Sequence, residues 1–551
     1  MGRDRWIIDM AGRASRPLKT LSRWSGLLLA AILYLSLSLP NLSLPGLYDD
    51  EALSATRAHE AVRAVQSGTW SEFPLIISEY HGPLSAYLSI PYTLLFSRDV
   101  ALFRLQYVVI GLIILLLVYL LCLIVFDDTI SAGVAVLLLS THASFILGCR
   151  DGADFAVLLP LLELLCLISA VSWGRTRRRI FWFSSFFCMG LCLATQAYSI
   201  FLLTANLALG IYLLKPIRDR MIDGGESLLS YMGLALLGVF MGSLPLTLYY
   251  LLTPVETSLR WLQKWPHLIQ ALGNPGGNVW RWERVLDGTL FPEIHLGINE
   301  HLGTDLFPPR KFFIRSFYAA CLTLPFFALS KRDPRSSQIA RALLLWGSVY
   351  FAVSFITVSS WSPSHISSIL PFSTMVVAFS LTAAARRAPW KASLSGTVIL
   401  LFVLLNSAAD TYKMLDYHRT LRHTGGRGFY SSATDDLARW LDQNEVRHIY
   451  SLHWGLHHTI PFLTGFKTSV TLLEKPALLP EAVNTFPIRV AAYRAGDPWR
   501  AREQDASFRL FIDGTRRNGI RVTLEQSFHQ RDGLLSLQIY RCERRSPISG
   551  V

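Results

Sequence analysis

Three consecutive carboxylates, Asp49-Asp50-Glu51, follow an apolar stretch (25–44) long enough to cross a hydrocarbon core of about 30 Å. Charge at that depth is costly unless the groups hold a cation or exchange protons. The run is therefore the first candidate for chemistry, with Asp50 as base or cation ligand and Glu51 as its neighbour. The plain alternative is a solvated turn in which Asp50 caps the following helix. A second cluster, Arg150-Asp151-Gly152-Ala153-Asp154, closes the apolar stretch 130–148. Two carboxylates converging from separate helix ends can hold a divalent cation or divide base and stabiliser roles. An arginine forks bidentately onto phosphate. Arg150 is thus a candidate phosphate clamp and Asp154 a partner for Asp50, against the alternative of ordinary helix caps and a local ion pair. Between the clusters, Glu79-Tyr80-His81-Gly82-Pro83 offers Tyr80 and His81, and a later polar turn (359–365) offers His365. Each histidine would take a phosphate or a metal, or simply cap a helix. No glycine-rich nucleotide loop occurs, so no nucleotide cofactor is expected.

The elements that must position these groups are membrane spans. Of 551 residues, 51% are hydrophobic, 12% aromatic and 17% charged, and the mean hydropathy is +0.35. This is the composition of a polytopic membrane protein. The net charge of +13 sits mostly in clusters between apolar runs, where it sets topology and meets anionic headgroups; nucleic acid is not implied. The seven cysteines (122, 149, 166, 188, 192, 321, 542) show neither metal-ligand spacing nor a disulfide framework.

Apolar runs at 101–126, 130–148, 155–172, 180–195, 199–214, 228–252, 313–330, 340–358, 366–385 and 392–409 read as further spans. The fifteen residues 83–97, with an internal proline, read as re-entrant or interfacial. With that segment not crossing, the basic clusters at 175–179, 215–220, 331–335 and 386–391 share the cytoplasmic side with the basic N-terminus (1–24), and the total is about eleven spans. The first span lacks a small-residue cleavage site and reads as a retained anchor. The other side then receives the first outer loop (45–100), a tryptophan-rich loop (253–312) and the tail (411–551). Within the first loop, 51–66 reads as an amphipathic helix with Ala58, Ala61, Val62 and Val65 in lipid and Arg57, Glu60 and Arg63 facing water. Trp261, Trp265, Trp280 and Trp282 would anchor the interface or form a flap over a lipid or sugar. The tail alternates short strand-like runs, Phe508–Ile512 among them, with turns and one helix at 434–443, which predicts a soluble extracytoplasmic α/β domain on an all-α membrane domain.

Tyr48-Asp-Asp-Glu-Ala52, His81-Gly-Pro-Leu-Ser-Ala-Tyr87, Phe103-Arg-Leu105, Arg150-Asp-Gly-Ala-Asp154 and Ile369-Leu-Pro371, in this order over 25–410, resemble the polyprenyl- or dolichyl-phosphate-sugar glycosyltransferases of family 39. That group includes the protein O-mannosyltransferases and the aminoarabinose–lipid A transferase. The resemblance implies a GT-C membrane fold whose site opens to the periplasmic or luminal face, in a multi-pass protein of a cell inner membrane. It implies an inverting transfer from a polyprenyl-phosphate-linked sugar to a lipid, glycan or protein acceptor. Asp50 matches the catalytic acid, Glu51 its neighbour, and Asp154 the second acid that some members use with the first to bind a divalent metal. Bacterial relatives often carry a lysine just before the proline, where this chain has His81-Gly82-Pro83. Some carry an arginine three residues after the first acid, where Leu53 stands here. Phosphate binding then falls to His81, Arg150 or Arg57. The rival classes are a polar-lipid transporter or flippase and a non-catalytic subunit of cell-envelope glycan assembly. A transporter would carry charge in mid-span, whereas the acids and bases here gather at helix ends facing one side.

Overall fold

The structure, a computed structural model, describes residues 17–78, 81–96, 98–150, 154–196, 199, 202–208, 228–253, 302, 334–354, 368–387, 392–473, 487–494 and 501–544. Helix α1 (Pro17–Ser38) stops short of the expected Leu44. Pro40 disfavours helical backbone at the residue before it, and the chain turns instead through 39–48. Helix α2 (Asp49–Ser67) carries the acidic run in its first turn, α3 (Leu84–Phe96) is the short proline-containing segment, and α4 (Val100–Phe126) is a long apolar span. The run 130–148 is not one rod: α5 (Thr129–Thr141) and α6 (Ala143–Arg150) meet at His142 with a 61° bend. Helices α7 (Asp154–Thr176) and α8 (Arg179–Thr195) follow, then α9 (Leu228–Gly242) and α10 (Leu244–Leu252), bent by 72°. Helices α11 (Pro334–Ser354), α12 (Ile369–Arg387) and α13 (Ala392–Thr424) complete the bundle.

Among the described residues four helices are long and apolar enough to cross a membrane, or up to six with each bent pair taken as one span. The expected total of about eleven also draws on 199–214 and 313–330, which lie partly or wholly outside the described residues. Large apolar side chains face outward along the bundle, including Leu28, Ile113, Leu236, Leu401 and Leu405, as lipid contact requires.

The two ends of the bundle differ in charge. Arg175 donates to the Ile124 carbonyl at the far end of α4, and Arg386 pairs with Asp128 at 2.8 Å. The acidic run meets the opposite, N-terminal end of α4. Basic loops and acidic loop thus occupy opposite ends, as the charge pattern requires.

Close packing of α8 on α9 depends on glycines. A Cβ on Gly190 would lie 2.3 Å from the Val239 carbonyl oxygen, and one on Gly242 would lie 2.2 Å from that of Phe187. Small residues at such positions let backbones approach, which is how helices associate where no water drives them together.

Helix α13 runs unbroken past Asp410 to Thr424, so the boundary of the C-terminal domain falls near Gly425 instead of 411. Beyond it come α14 (Ala433–Gln443), β1 (His448–Ser451), α15 (Thr459–Leu463), β2 (Ser469–Leu472), β3 (Ile488–Tyr493), α16 (Ala501–Arg517), β4 (Ile520–His529) and β5 (Leu535–Arg544). The sheet order is β2-β1-β3-β5-β4, with β1 parallel to β2 and β3, and β5 antiparallel to β3 and β4. Side chains alternate along β3: Ala491 and Tyr493 pack on the α14 side, Ile488, Val490 and Ala492 on the α16 side. The expected strand at 508–512 is instead part of α16. Phe508, Phe511 and Ile512 are spaced i, i+3, i+4, a helical face that buries Phe511 against Tyr540 and Cys542.

Replacing Gly242 by Leu should force α8 and α9 apart and lower the unfolding temperature in detergent by several degrees; thermal unfolding followed by circular dichroism measures this.

Candidate functional site

Tyr48 is the N-cap of α2, and the three acids occupy the first turn, where the helix dipole favours negative charge. Their environments differ. Asp49 is buried; one of its oxygens accepts the backbone N–H groups of His458 (2.7 Å) and Thr459 (3.3 Å) in the C-terminal domain. Burial lifts its carboxyl above the ordinary range, against the pull of those N–H groups. Glu51 is 1% exposed and bound bidentately by Arg104, which is equally buried, at 2.6 and 2.8 Å. Arg104 also donates to the carbonyls of Leu42 and Pro45. Asp50, between the two, is exposed.

Asp50 and Arg57 are seven residues apart on α2 and share a face. Arg57 Nε donates to the Ile77 carbonyl (3.2 Å) and Nη1 pairs with Glu60 (2.6 Å). Ile77 opens the turn that carries His81, whose carbonyl accepts the N–H of Ile77 at 2.9 Å. The His81 ring meets Ser78 Oγ at 3.1 Å and the Gln196 side chain at 3.4 Å. Gly82 docks this turn on the end of α8, its N–H donating to the Thr195 carbonyl (3.0 Å). A Cβ there would lie 1.4 Å from the Ala194 oxygen, so only glycine fits. Arg57 and the His81 backbone thereby meet at Ile77, two helical turns from Asp50.

Three sequence expectations require correction. Glu51 is a structural partner of Arg104, not a free site acid. Arg150 is not placed as a phosphate clamp: it is 1% exposed, and its guanidinium donates to the carbonyls of Ser38, Pro40 (2.7 Å), Asn41 and Leu44 (both 3.1 Å). The 39–48 turn has no secondary structure to satisfy those oxygens, so the arginine does so. The alanine face of α2 is covered by protein instead of lipid; Ala58 and Ala61 are fully buried while Val65 is 50% exposed, and His59 stacks on Phe466 at 3.8 Å.

Tyr80 and His365 lie outside the described residues, as does the loop 253–312 apart from Thr253 and Leu302. Asp154 is described by its backbone alone, opening α7 four residues after Arg150 and hence at the same end of the bundle as Asp50. Among the described residues no three of His, Cys, Asp and Glu come together as a metal-ligand set.

Some residues that shape this end were not singled out from sequence. An arginine in the first turn of an otherwise apolar span, as Arg104 is, signals a buried partner. Gln196 gave no signal of its own. Glu163 is buried in the middle of α7, within electrostatic reach of Cys166, Cys192 and Tyr350, and departs from the expectation that charge is confined to helix ends. Asp435, on α14, lines a hollow of about 150 Å³ with Arg98, Asp442 and Leu463 between the two parts of the molecule. Its burial raises the carboxyl to about 6, opposed by Arg104. His458 is pushed down to about 3, chiefly by burial and further by His457 and Arg57, and is neutral.

No family model and no curated protein matches the sequence. The fold is similar to that of ArnT from Cupriavidus metallidurans, solved bound to undecaprenyl phosphate, with a TM-score of 0.53 and 13% identity over 96% of this chain and 98% of that one. At that identity the likeness establishes the fold alone: a helical membrane domain followed by a small sheet domain.

Removing the partner of a buried charge costs about 3–5 kcal/mol, whereas replacing both partners is far milder. Arg104→Met should therefore strongly destabilise the protein, and Arg104→Met combined with Glu51→Gln should recover much of the loss, as read from thermal unfolding. A carboxyl raised in the folded state contributes most when protonated. Asp435 therefore adds stability below its ordinary 3.8 that is lost as pH rises through about 6. Asp435→Asn should gain about 1–2 kcal/mol at pH 7.5, discounted for its part-exposed side chain, and the gain should vanish towards pH 4.

Proposed function

We propose that this chain is a membrane glycosyltransferase that moves a sugar from a polyprenyl-phosphate donor to an acceptor at the acidic end of the bundle, with Asp50 as the base. One observation carries the reading: of three adjacent acids, Asp49 and Glu51 are buried against protein groups, while Asp50 between them is exposed, on the helix face that carries Arg57 two turns further on. An acid kept at the surface between two that are sequestered is the one a substrate can meet.

A sugar ester of a lipid phosphate already has a good leaving group. The acceptor hydroxyl oxygen attacks the anomeric carbon on the face away from the phosphate. The carbon–oxygen bond to the phosphate breaks, its electron pair leaves on the lipid phosphate, and the hydroxyl proton passes to Asp50. The configuration at that carbon inverts. In this reading Arg57 and His81 face the departing phosphate, where positive charge and N–H donors stabilise developing negative charge. Crystals of the structurally similar transferase held undecaprenyl phosphate, which makes that lipid carrier the first to test. The basic loops at the opposite end favour an extracytoplasmic location for this chemistry.

A second reading has one observation in its favour. Glu163 is a buried acid in mid-span, which suits a carrier for a polar lipid.

Transfer of a radiolabelled sugar from undecaprenyl phosphate by the purified chain tests both. Asp50→Asn should lower kcat by about 10²–10⁴-fold while the protein folds and inserts normally. Glu163→Gln should leave transfer within about twofold. Full activity of Asp50→Asn would sink the assignment of Asp50 as base, absence of transfer by the wild-type chain would sink the transferase reading, and lipid translocation abolished by Glu163→Gln would establish the carrier.

A further inference from the structure

The acid assigned as base belongs to the membrane domain, yet the two residues before it are held by the C-terminal domain. Asp49 accepts the N–H groups of His458 and Thr459. Tyr48 stacks on Tyr430 with ring centroids 4.5 Å apart and meets Trp454 edge-on at 5.2 Å. The Leu47 carbonyl accepts the Thr459 hydroxyl (3.4 Å), and the Gly46 N–H donates to the Tyr430 carbonyl (2.8 Å). Approach at Gly46 is so close that a Cβ would lie 2.2 Å from the Ser431 oxygen. Three turns further along α2, His59 stacks on Phe466 of the same domain. Two separated contacts on one helix fix both its tilt and its rotation about its own axis. On the other side of Asp50, Arg104 holds Glu51.

We infer that the C-terminal domain sets the placement of Asp50, with Asp49, Tyr430, His458 and Thr459 as positioning residues for a reaction none of them touches. The inference rests on the reading of Asp50 as the base. The contacts grip the chain at the residue before Asp50 through the buried Asp49 carboxylate, and at Leu47 and Gly46 through backbone groups, so a displacement of the domain is passed to the Asp50 Cα over a few bonds. A misplacement of about 1 Å at a reacting group costs up to about 10²-fold in rate. The domain therefore acts on turnover more than on capture of the lipid donor. An asparagine at 49 keeps the accepting oxygen.

The test uses the full chain in lipid nanodiscs with an undecaprenyl-phosphate sugar that the wild type turns over. Two readouts are compared: kcat and donor KM per folded protein, and hydrogen–deuterium exchange over 48–56, where the Ala52 N–H bonds to the Tyr48 carbonyl. Asp49→Ala and Tyr430→Ala should each lower kcat about tenfold or more, leave donor KM within about twofold, and speed exchange in that segment. Asp49→Asn and Tyr430→Phe should stay within about threefold of wild type. Folded alanine variants with wild-type kcat and exchange would overturn the inference, as would a raised donor KM at unchanged kcat. Should Asp49→Ala fail to fold, the Tyr430 pair decides. Asp50→Asn run alongside separates the two readings. If it is inactive while the alanine variants are normal, only the positioning role falls. If it is active, the base assignment falls, and exchange alone reports whether the domain holds the helix.

Discussion

The Glu51–Arg104 pair joins three pieces of chain: the first turn of α2, the N-terminal end of α4 and the turn leading out of α1. Both groups are 1% exposed, and a charge in that position is tolerable only while its partner and its remaining donors are satisfied. Arg104 meets the condition with two bonds to the carboxylate and two to the carbonyls of Leu42 and Pro45. Arg150 does the same from α6 for the carbonyls of Ser38, Pro40, Asn41 and Leu44. An irregular stretch at the edge of an apolar bundle thus owes its shape to two guanidinium groups. The acidic run has a defined address because that stretch does.

The same logic separates three chemically similar side chains. Asp49, Asp50 and Glu51 differ little in intrinsic acidity, and a helix turns about 100° between successive residues. One acid therefore points to the C-terminal domain, one to α4, and one away from both. Binding the outer two strengthens the asymmetry, since N–H groups and a guanidinium occupy Asp49 and Glu51 while Asp50 stays exposed. His81 sits on a turn that only Gly82 allows to lie against α8, and Arg57 reaches that turn from α2 through the Ile77 carbonyl.

Much of this was legible from the chain alone. Apolar runs of about the right length mark the spans, and three carboxylates beside one of them mark one end of the bundle as the basic loops mark the other. Period-two and amphipathic patterns give most of the C-terminal sheet and α14. What was not legible came from partners distant in sequence. Nothing near residue 49 announces His458, and nothing near Arg150 announces that carbonyls of 38–44 will occupy it; both depend on packing, which composition and spacing do not encode. Phe508–Ile512 misled because five apolar-rich residues fit either period, and the choice was made by the neighbours Ala501–Arg517 as a whole. The bends at His142 and Ser243 likewise leave hydropathy unchanged while breaking a rod in two.

Helix α13 has 33 residues without interruption, close to 50 Å at about 1.5 Å per residue, against a hydrocarbon core of about 30 Å. The surplus forms a stiff mast rooted among lipid tails, and the sheet domain rides at its tip while also being clasped at α2. With a mast on one side and a clasp on the other, the headroom beneath the domain is a constant of the architecture. Under the transferase reading, whatever accepts the sugar would have to fit that clearance edgewise, so stature as well as chemistry would screen what enters.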